Sequence, residues 1–137
     1  MGYDIDDDPR RIDRDVVVRF LTEDAYWHRW RTVAQIEQQI RGAWRVIGAY
    51  EQDSGRQVGF ARAVSDGVAD AYLADVFVLP EHRGAGLGKR IVAAMIDEGP
   101  GRDFRWFLST RDAHGLYRGF GFGTPSDRVM ERPSRLG

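Results

Sequence analysis

Between Val76 and Lys89 the sequence reads Val-Phe-Val-Leu-Pro-Glu-His-Arg-Gly-Ala-Gly-Leu-Gly-Lys. An apolar run is stopped by Pro80, glycines stand at positions 84, 86 and 88, and apolar residues then recur at Leu87, Ile91, Val92, Met95 and Ile96. This pattern predicts a buried strand, a tight turn and an amphipathic helix over Gly86–Glu98. Glycine lets such a turn close and brings backbone N–H groups near a ligand, and a helix N-terminus adds unpaired N–H groups and a favourable dipole. With Arg83 and Lys89 flanking the turn, phosphate or pyrophosphate is its natural occupant. Two common phosphate patterns fail. A P-loop needs Gly where Arg83 stands and Ser/Thr where Arg90 stands. The dinucleotide fingerprint needs a third Gly where Lys89 stands, and its acidic residue would fall near Asp103 without a βαβ unit before it.

The remaining composition narrows the context. A chain of 137 residues is one domain, 1–137, long enough for a core and too short for two. The absence of cysteine excludes a disulfide scaffold, a thiolate zinc site, an iron–sulfur cluster and a cysteine nucleophile. Twenty Lys+Arg against 21 Asp+Glu argues against nucleic-acid binding by broad phosphate neutralisation. Met1 to Asp8 carries four Asp and no apolar run, unlike a secretory or mitochondrial leader, and no stretch approaches the ~18 apolar residues of a membrane span. A cytoplasmic protein without a membrane partner is expected. The acidic start reads as a solvated tail; nothing pairs with it at ligand spacing, and no metal is expected.

Asp8-Pro9 is a helix-start signal, and Val16, Val17, Phe20 and Leu21 can form one helical face, although Val16-Val17-Val18 also suits a strand. Thr32 to Ala43 is a clearer helix, capped by Thr32. Strands are expected at Trp44–Tyr50, Gln57–Val64, Ala71–Leu79, Arg105–Thr110 and Arg128–Arg132, with turns at Asp53-Ser54-Gly55 and Asp66-Gly67 and a short helix at Asp112–Arg118. The result is an α/β (α+β) domain with one mixed central sheet flanked by helices.

The Arg83-x-x-Gly86-x-Gly88 pattern, after a strand ending in Val-x-Pro and before an amphipathic helix, resembles the acetyl-CoA-binding motif of the GNAT superfamily (Gcn5-related N-acetyltransferases). Asp112-Ala-His-Gly-Leu-Tyr-Arg-Gly-Phe-Gly-Phe122 is similar to the family segment in which a short helix ends in Leu-Tyr and turns into Phe-Gly-Phe. The likeness covers roughly Trp44 to Phe122. It implies direct acetyl transfer from acetyl-CoA to a primary amine of a small molecule or peptide, with no covalent enzyme intermediate. Acetylation of protein N-termini or lysines, and a non-catalytic CoA-binding sensor, are the alternatives. A homodimer is compatible with the resemblance.

The same resemblance implies site residues. Backbone groups of Gly84, Ala85, Gly86, Leu87, Gly88 and Lys89 would hold the pyrophosphate, with the charge of Arg83 beside them, and the backbone of Val76, Phe77 and Val78 would pair with pantetheine like an added strand. Tyr117 is the candidate acid for the departing thiolate; otherwise it is a core aromatic. Thr110 stands where many relatives carry Asn near the cofactor, and as a cofactor-binding candidate its hydroxyl would supply one hydrogen bond there. Ala74 stands where some polyamine-type relatives carry a Glu base, which leaves Asp75 either to orient or deprotonate the amine through water or to make a structural hydrogen bond. Tyr26 and Trp27 either border the acceptor pocket or belong to the core or a dimer contact. His82 is expected at the surface, and His114 either on the helix surface or, one turn before Tyr117, near the cofactor.

Overall fold

The computed structural model describes residues 2–137. Its elements are β1 (Tyr3–Asp6), α1 (Arg14–Glu23), α2 (Val33–Gly42), β2 (Arg45–Glu51), β3 (Gln57–Ser65), β4 (Asp70–Val78), α3 (Leu87–Ile96), β5 (Arg105–Phe107) and α4 (His114–Arg118). The sheet order is β1-β2-β3-β4-β5. All neighbours run antiparallel except β4 and β5, which are parallel. The mixed sheet flanked by helices is the architecture expected from the sequence.

Local chemistry explains the helix starts. The Asp13 side chain accepts from the N–H groups of Asp15 and Val16, and Thr32 and Gln35 form a reciprocal capping box, each satisfying donors that the first turn leaves unpaired. Val16, Val17 and Val18 are helical: the Asp13 cap and burial of Val17, Phe20 and Leu21 on one face outweigh their β-branching. Asp8-Pro9 opens only a single 3-10 turn, Pro9–Arg11.

Opposite faces of β3 bind different helices. Phe60 packs beside Phe77, whose ring stacks on Phe20 of α1 at 4.0 Å between centroids. Its neighbour Gly59 faces α3, where an added Cβ would stand 2.7 Å from Ile91 Cδ1. Successive strand residues point to opposite faces, so α1 and α3 cover the two sides of the sheet, and the missing side chain at Gly59 lets α3 approach closely.

Three local expectations are corrected. The acidic start is not a solvated tail, because Tyr3–Asp6 pairs with β2 as an edge strand. Arg128–Arg132 forms no strand: Val129 and Met130 are 36% and 93% exposed, so neither has a layer to pack against. The predicted strand at Arg105–Thr110 stops at Phe107, since its neighbour β4 diverges beyond that point.

That divergence positions the site. β4 and β5 pair only through Asp70–Arg105, Ala71–Trp106 and Tyr72–Phe107, leaving the β5-facing edge of β4 unpaired from Leu73 onward. On the β3 side, Phe60 lies opposite Phe77 but Arg62 lies opposite Ala74. Two steps on β3 therefore correspond to three on β4, a bulge. Asp75 sits in it with φ of 54°, a conformation uncommon for a residue with a side chain.

Candidate active site

The glycine turn has the geometry of an anion cradle. Gly84 and Gly86 adopt φ of 89° and 77°, and added Cβ atoms at 84, 86 or 88 would meet nothing within 4 Å. Glycine satisfies the turn at 84 and 86, and all three positions leave the backbone open to approach. The first backbone bond into α3 is Arg90 N–H to Gly86 carbonyl, and among the described residues the N–H groups of 84–89 donate to no backbone acceptor. These unpaired donors at the start of a ten-residue helix fit a phosphate group well. Arg83 is exposed, but its Nε donates to the Val78 carbonyl at 3.0 Å, tying the turn to the end of β4. Lys89 is exposed beside it.

Among the pantetheine candidates, the Val78 carbonyl is already engaged by Arg83, and Phe77 buries its side chain in the core. Backbone along Ala74–Val78 borders the gap opened by β5. His82 is not a free surface group: its Nδ1 hydrogen-bonds the Tyr3 hydroxyl at 2.9 Å, and the two rings meet edge to face.

Asp75 is the most heavily engaged side chain of the site. Its carboxylate accepts from Trp27 Nε1 at 2.5 Å, Arg31 Nη1 at 2.8 Å, Arg31 Nη2 at 3.1 Å and Arg62 Nε at 2.6 Å. A carboxylate offers about four acceptor positions, so this one is full. Burial would raise its pKa, but the hydrogen bonds and charges of Arg31 and Arg62 outweigh that and hold it below the usual carboxylate range. Simple alternation predicts Ala74 and Asp75 on opposite faces. The bulge changes this, and Asp75 reaches Arg62, the register partner of Ala74.

Arg31 and Arg62 were not singled out in the sequence. Arg62 did carry a signal: it is a lone charge in Val-Gly-Phe-Ala-Arg-Ala-Val, and an ionised residue in a buried strand requires a partner. Arg31 sits 44 residues from Asp75 and gave no comparable hint. The network places Trp27 against Asp75. Tyr26 packs edge to face on Trp27 at 4.9 Å, remains 42% exposed, and lies beneath the Arg111 guanidinium at 3.7 Å. The α1–α2 connector is thereby joined to the β5–α4 connector.

Tyr117 is buried in the first turns after that connector, with its ring edge to face against Phe122 at 5.7 Å. Burial, with a smaller contribution from nearby Tyr26, pushes its pKa up to about 12; at neutral pH it is a protonated hydrogen-bond donor. The Thr110 hydroxyl accepts from Ala113 N–H at 3.1 Å, which orders the start of α4 and leaves its own O–H free to donate. Thr110, His114 and Tyr117 also line a cleft of about 520 Å³ along the outer side of β5. None of residues 76–78 or 83–89 lines that cleft, so it is separate from the glycine cradle.

No helix among the described residues is long and apolar enough to cross a membrane, and no group of three or more His, Asp or Glu among them is placed to hold a metal ion.

Comparison with known proteins bears on the family and the fold. The sequence profile of the acetyltransferase (GNAT) family matches residues 14–122. A GNAT-family crystal structure from Xanthomonas campestris pv. campestris is 36% identical, with 98% of this chain and 94% of that one covered at a TM-score of 0.89. Serotonin N-acetyltransferase 2, chloroplastic, of Oryza sativa subsp. japonica is 35% identical over 56% of this chain and 39% of its own length. GCN5-related N-acetyltransferase 1, chloroplastic, of Arabidopsis thaliana is 34% identical over 50% of this chain and 34% of its own. The chain thus spans less than half the length of these curated relatives.

Proposed function

This chain belongs to the acetyltransferase (GNAT) family, and from that premise we propose that it transfers acetyl directly from acetyl-CoA to a primary amine of a small molecule or peptide. The observation that carries the reading is the run of unpaired N–H groups at 84–89 beside a β4 edge that β5 leaves open. The first fits the pyrophosphate of CoA; the second offers backbone to its pantetheine arm. Bound acetyl-CoA supplies the acetyl group and a thiolate leaving group.

In this reading Tyr117 serves the leaving group. With its pKa near 12 against about 8.5 for an ordinary thiol, complete proton transfer to the thiolate is uphill by ~3.5 units, or ~5 kcal/mol. Its role in this reading is therefore a hydrogen bond that strengthens as negative charge develops on sulfur. Asp75, with every acceptor position engaged, acts as a positioning residue for the α1–α2 connector, and Ala74 supplies no base. The amine must then arrive already neutral, and the proton its nitrogen sheds as the amide forms leaves with the departing thiolate or to water. A group of pKa about 10.4 is ~0.04% neutral at pH 7, a cost of ~4–5 kcal/mol.

Thiol release from acetyl-CoA across a panel of amines, amino acids and peptides tests the reading. Amine-dependent release is expected. Tight acetyl-CoA binding with no release for any acceptor would overturn it in favour of a non-catalytic CoA-binding module.

A further inference from the structure

The buried network around Asp75 is unbalanced. Arg31 and Arg62, with side chains 1% and 9% exposed, share one carboxylate that is itself 2% exposed. No other acid among the described residues comes within ion-pair distance of either guanidinium. Arg31 is nearly saturated, because its Nε also donates to the His28 carbonyl at 3.1 Å and its Nη1 to Gln39 Oε1 at 2.7 Å. Arg62 is not. It spends only Nε, on Asp75, and its two terminal nitrogens have no acceptor among the described residues.

Those nitrogens are not sealed in the protein. The one enclosed side-chain polar atom without a partner among the described residues is the Tyr50 hydroxyl, so the terminal nitrogens of Arg62, on a side chain 9% exposed, keep a narrow edge of solvent contact. Ala74, its register partner on β4, brings neither a charge nor a side-chain acceptor. The location is also telling: Arg62 lies beside the bulge, close to where β4 and β5 part after Tyr72–Phe107. A planar guanidinium edge, held rigidly by Asp75 and short of one negative charge, matches the two oxygens of a carboxylate.

Building on the proposed acetyl transfer, we infer that the acceptor is an amine that itself bears a carboxylate, whose anion pairs with the two terminal nitrogens of Arg62. The site is then complete only with substrate present: the acceptor supplies the missing negative charge, while Asp75 holds the guanidinium in orientation. A polycationic acceptor would meet uncompensated positive charge at the same place and be disfavoured.

Matched acceptor pairs test this. Glycine, β-alanine, γ-aminobutyrate and phenylalanine are each compared with their own carboxamide, with kcat/KM normalised to the neutral-amine fraction and calorimetric binding to the CoA-loaded protein measured in parallel. At least one carboxylate is expected to exceed its carboxamide by about 10- to 100-fold, the range of a charge-assisted pair. Arg62→Met should abolish the preference while CoA still raises the melting temperature. Arg62→Lys, which keeps a donor for Asp75, should reduce the preference, and it serves if the methionine variant does not fold. Carboxamides used as well as carboxylates throughout, or a preference unchanged in the Arg62 variants, overturn the inference while leaving acetyl transfer standing. Selective carboxylate binding without turnover supports the Arg62 site and overturns the transferase reading. Binding and turnover of neither member overturn both.

Discussion

Replacing Asp75 with asparagine separates an anchoring role from a basic one. The change keeps the shape of the side chain but removes the charge that Arg31 and Arg62 share at 2.8 and 2.6 Å, and it directs an amide donor toward donors. With all three side chains nearly excluded from solvent, little is lost to screening. Removing one partner of a buried ion pair costs about 3–5 kcal/mol. For a domain of this size that corresponds to roughly 10–20 °C in melting temperature. Circular dichroism during thermal and urea unfolding at pH 7 measures it. Acid titration provides a second check. The Asp75 pKa is lowered in the fold, because the arginines outweigh the opposing effect of burial. Its stabilisation is therefore full above the unfolded value of about 3.9 and lost as pH falls through the lower folded value. The stability gap between wild type and Asp75→Asn should narrow over that acid range. An Asp75→Asn protein within 1 kcal/mol of wild type but devoid of turnover would refute the anchoring argument and make Asp75 a base.

Gly86→Val places a β-branched residue at φ of 77°, costing about 1–2 kcal/mol in backbone strain and crowding the cradle; CoA should no longer raise the melting temperature, and an undiminished rise would remove this turn from cofactor binding. Tyr117→Phe should lower kcat by about 100- to 1000-fold, the range for loss of a transition-state hydrogen bond, with calorimetric CoA affinity nearly unchanged; wild-type kcat would remove Tyr117 from the mechanism. Without a free base, kcat/KM for an alkylamine should rise about tenfold per pH unit from 7 to 9. The Tyr117 pKa near 12 places loss of its proton above that range, and an inflection between pH 6 and 7.5 would instead reveal a protein base.

The parts of this molecule that were legible in its sequence are those specified by neighbours in the chain. Thr32 and Gln35 cap α2 from three residues apart, the apolar stripe of α3 follows helical spacing, and the glycines at 84 and 86 occupy the left-handed turn that their spacing implied. What escaped depends on distant partners. Tyr3–Asp6 becomes a strand only because β2 offers it an edge, against an acidic local composition. The β4 bulge arises from register with β3, and nothing near Leu73-Ala74-Asp75 announces an extra residue there. Asp75 was visible as a candidate, but its saturation by Trp27, Arg31 and Arg62 required the α1–α2 connector to fold over β4. In the opposite direction, Arg128–Arg132 had a strand-like pattern but pairs with no strand and leaves Val129 and Met130 exposed.

The central claim is direct transfer, and single-turnover mixing with isotopically labelled acetyl-CoA tests it most directly. Amine product and intact protein mass are followed together over one turnover. The account predicts label passing into the amine in step with thiol release, while the protein mass stays unchanged throughout. Accumulation of an acetylated protein that then donates to the amine, or no labelled amine from a protein that binds acetyl-CoA, would contradict it.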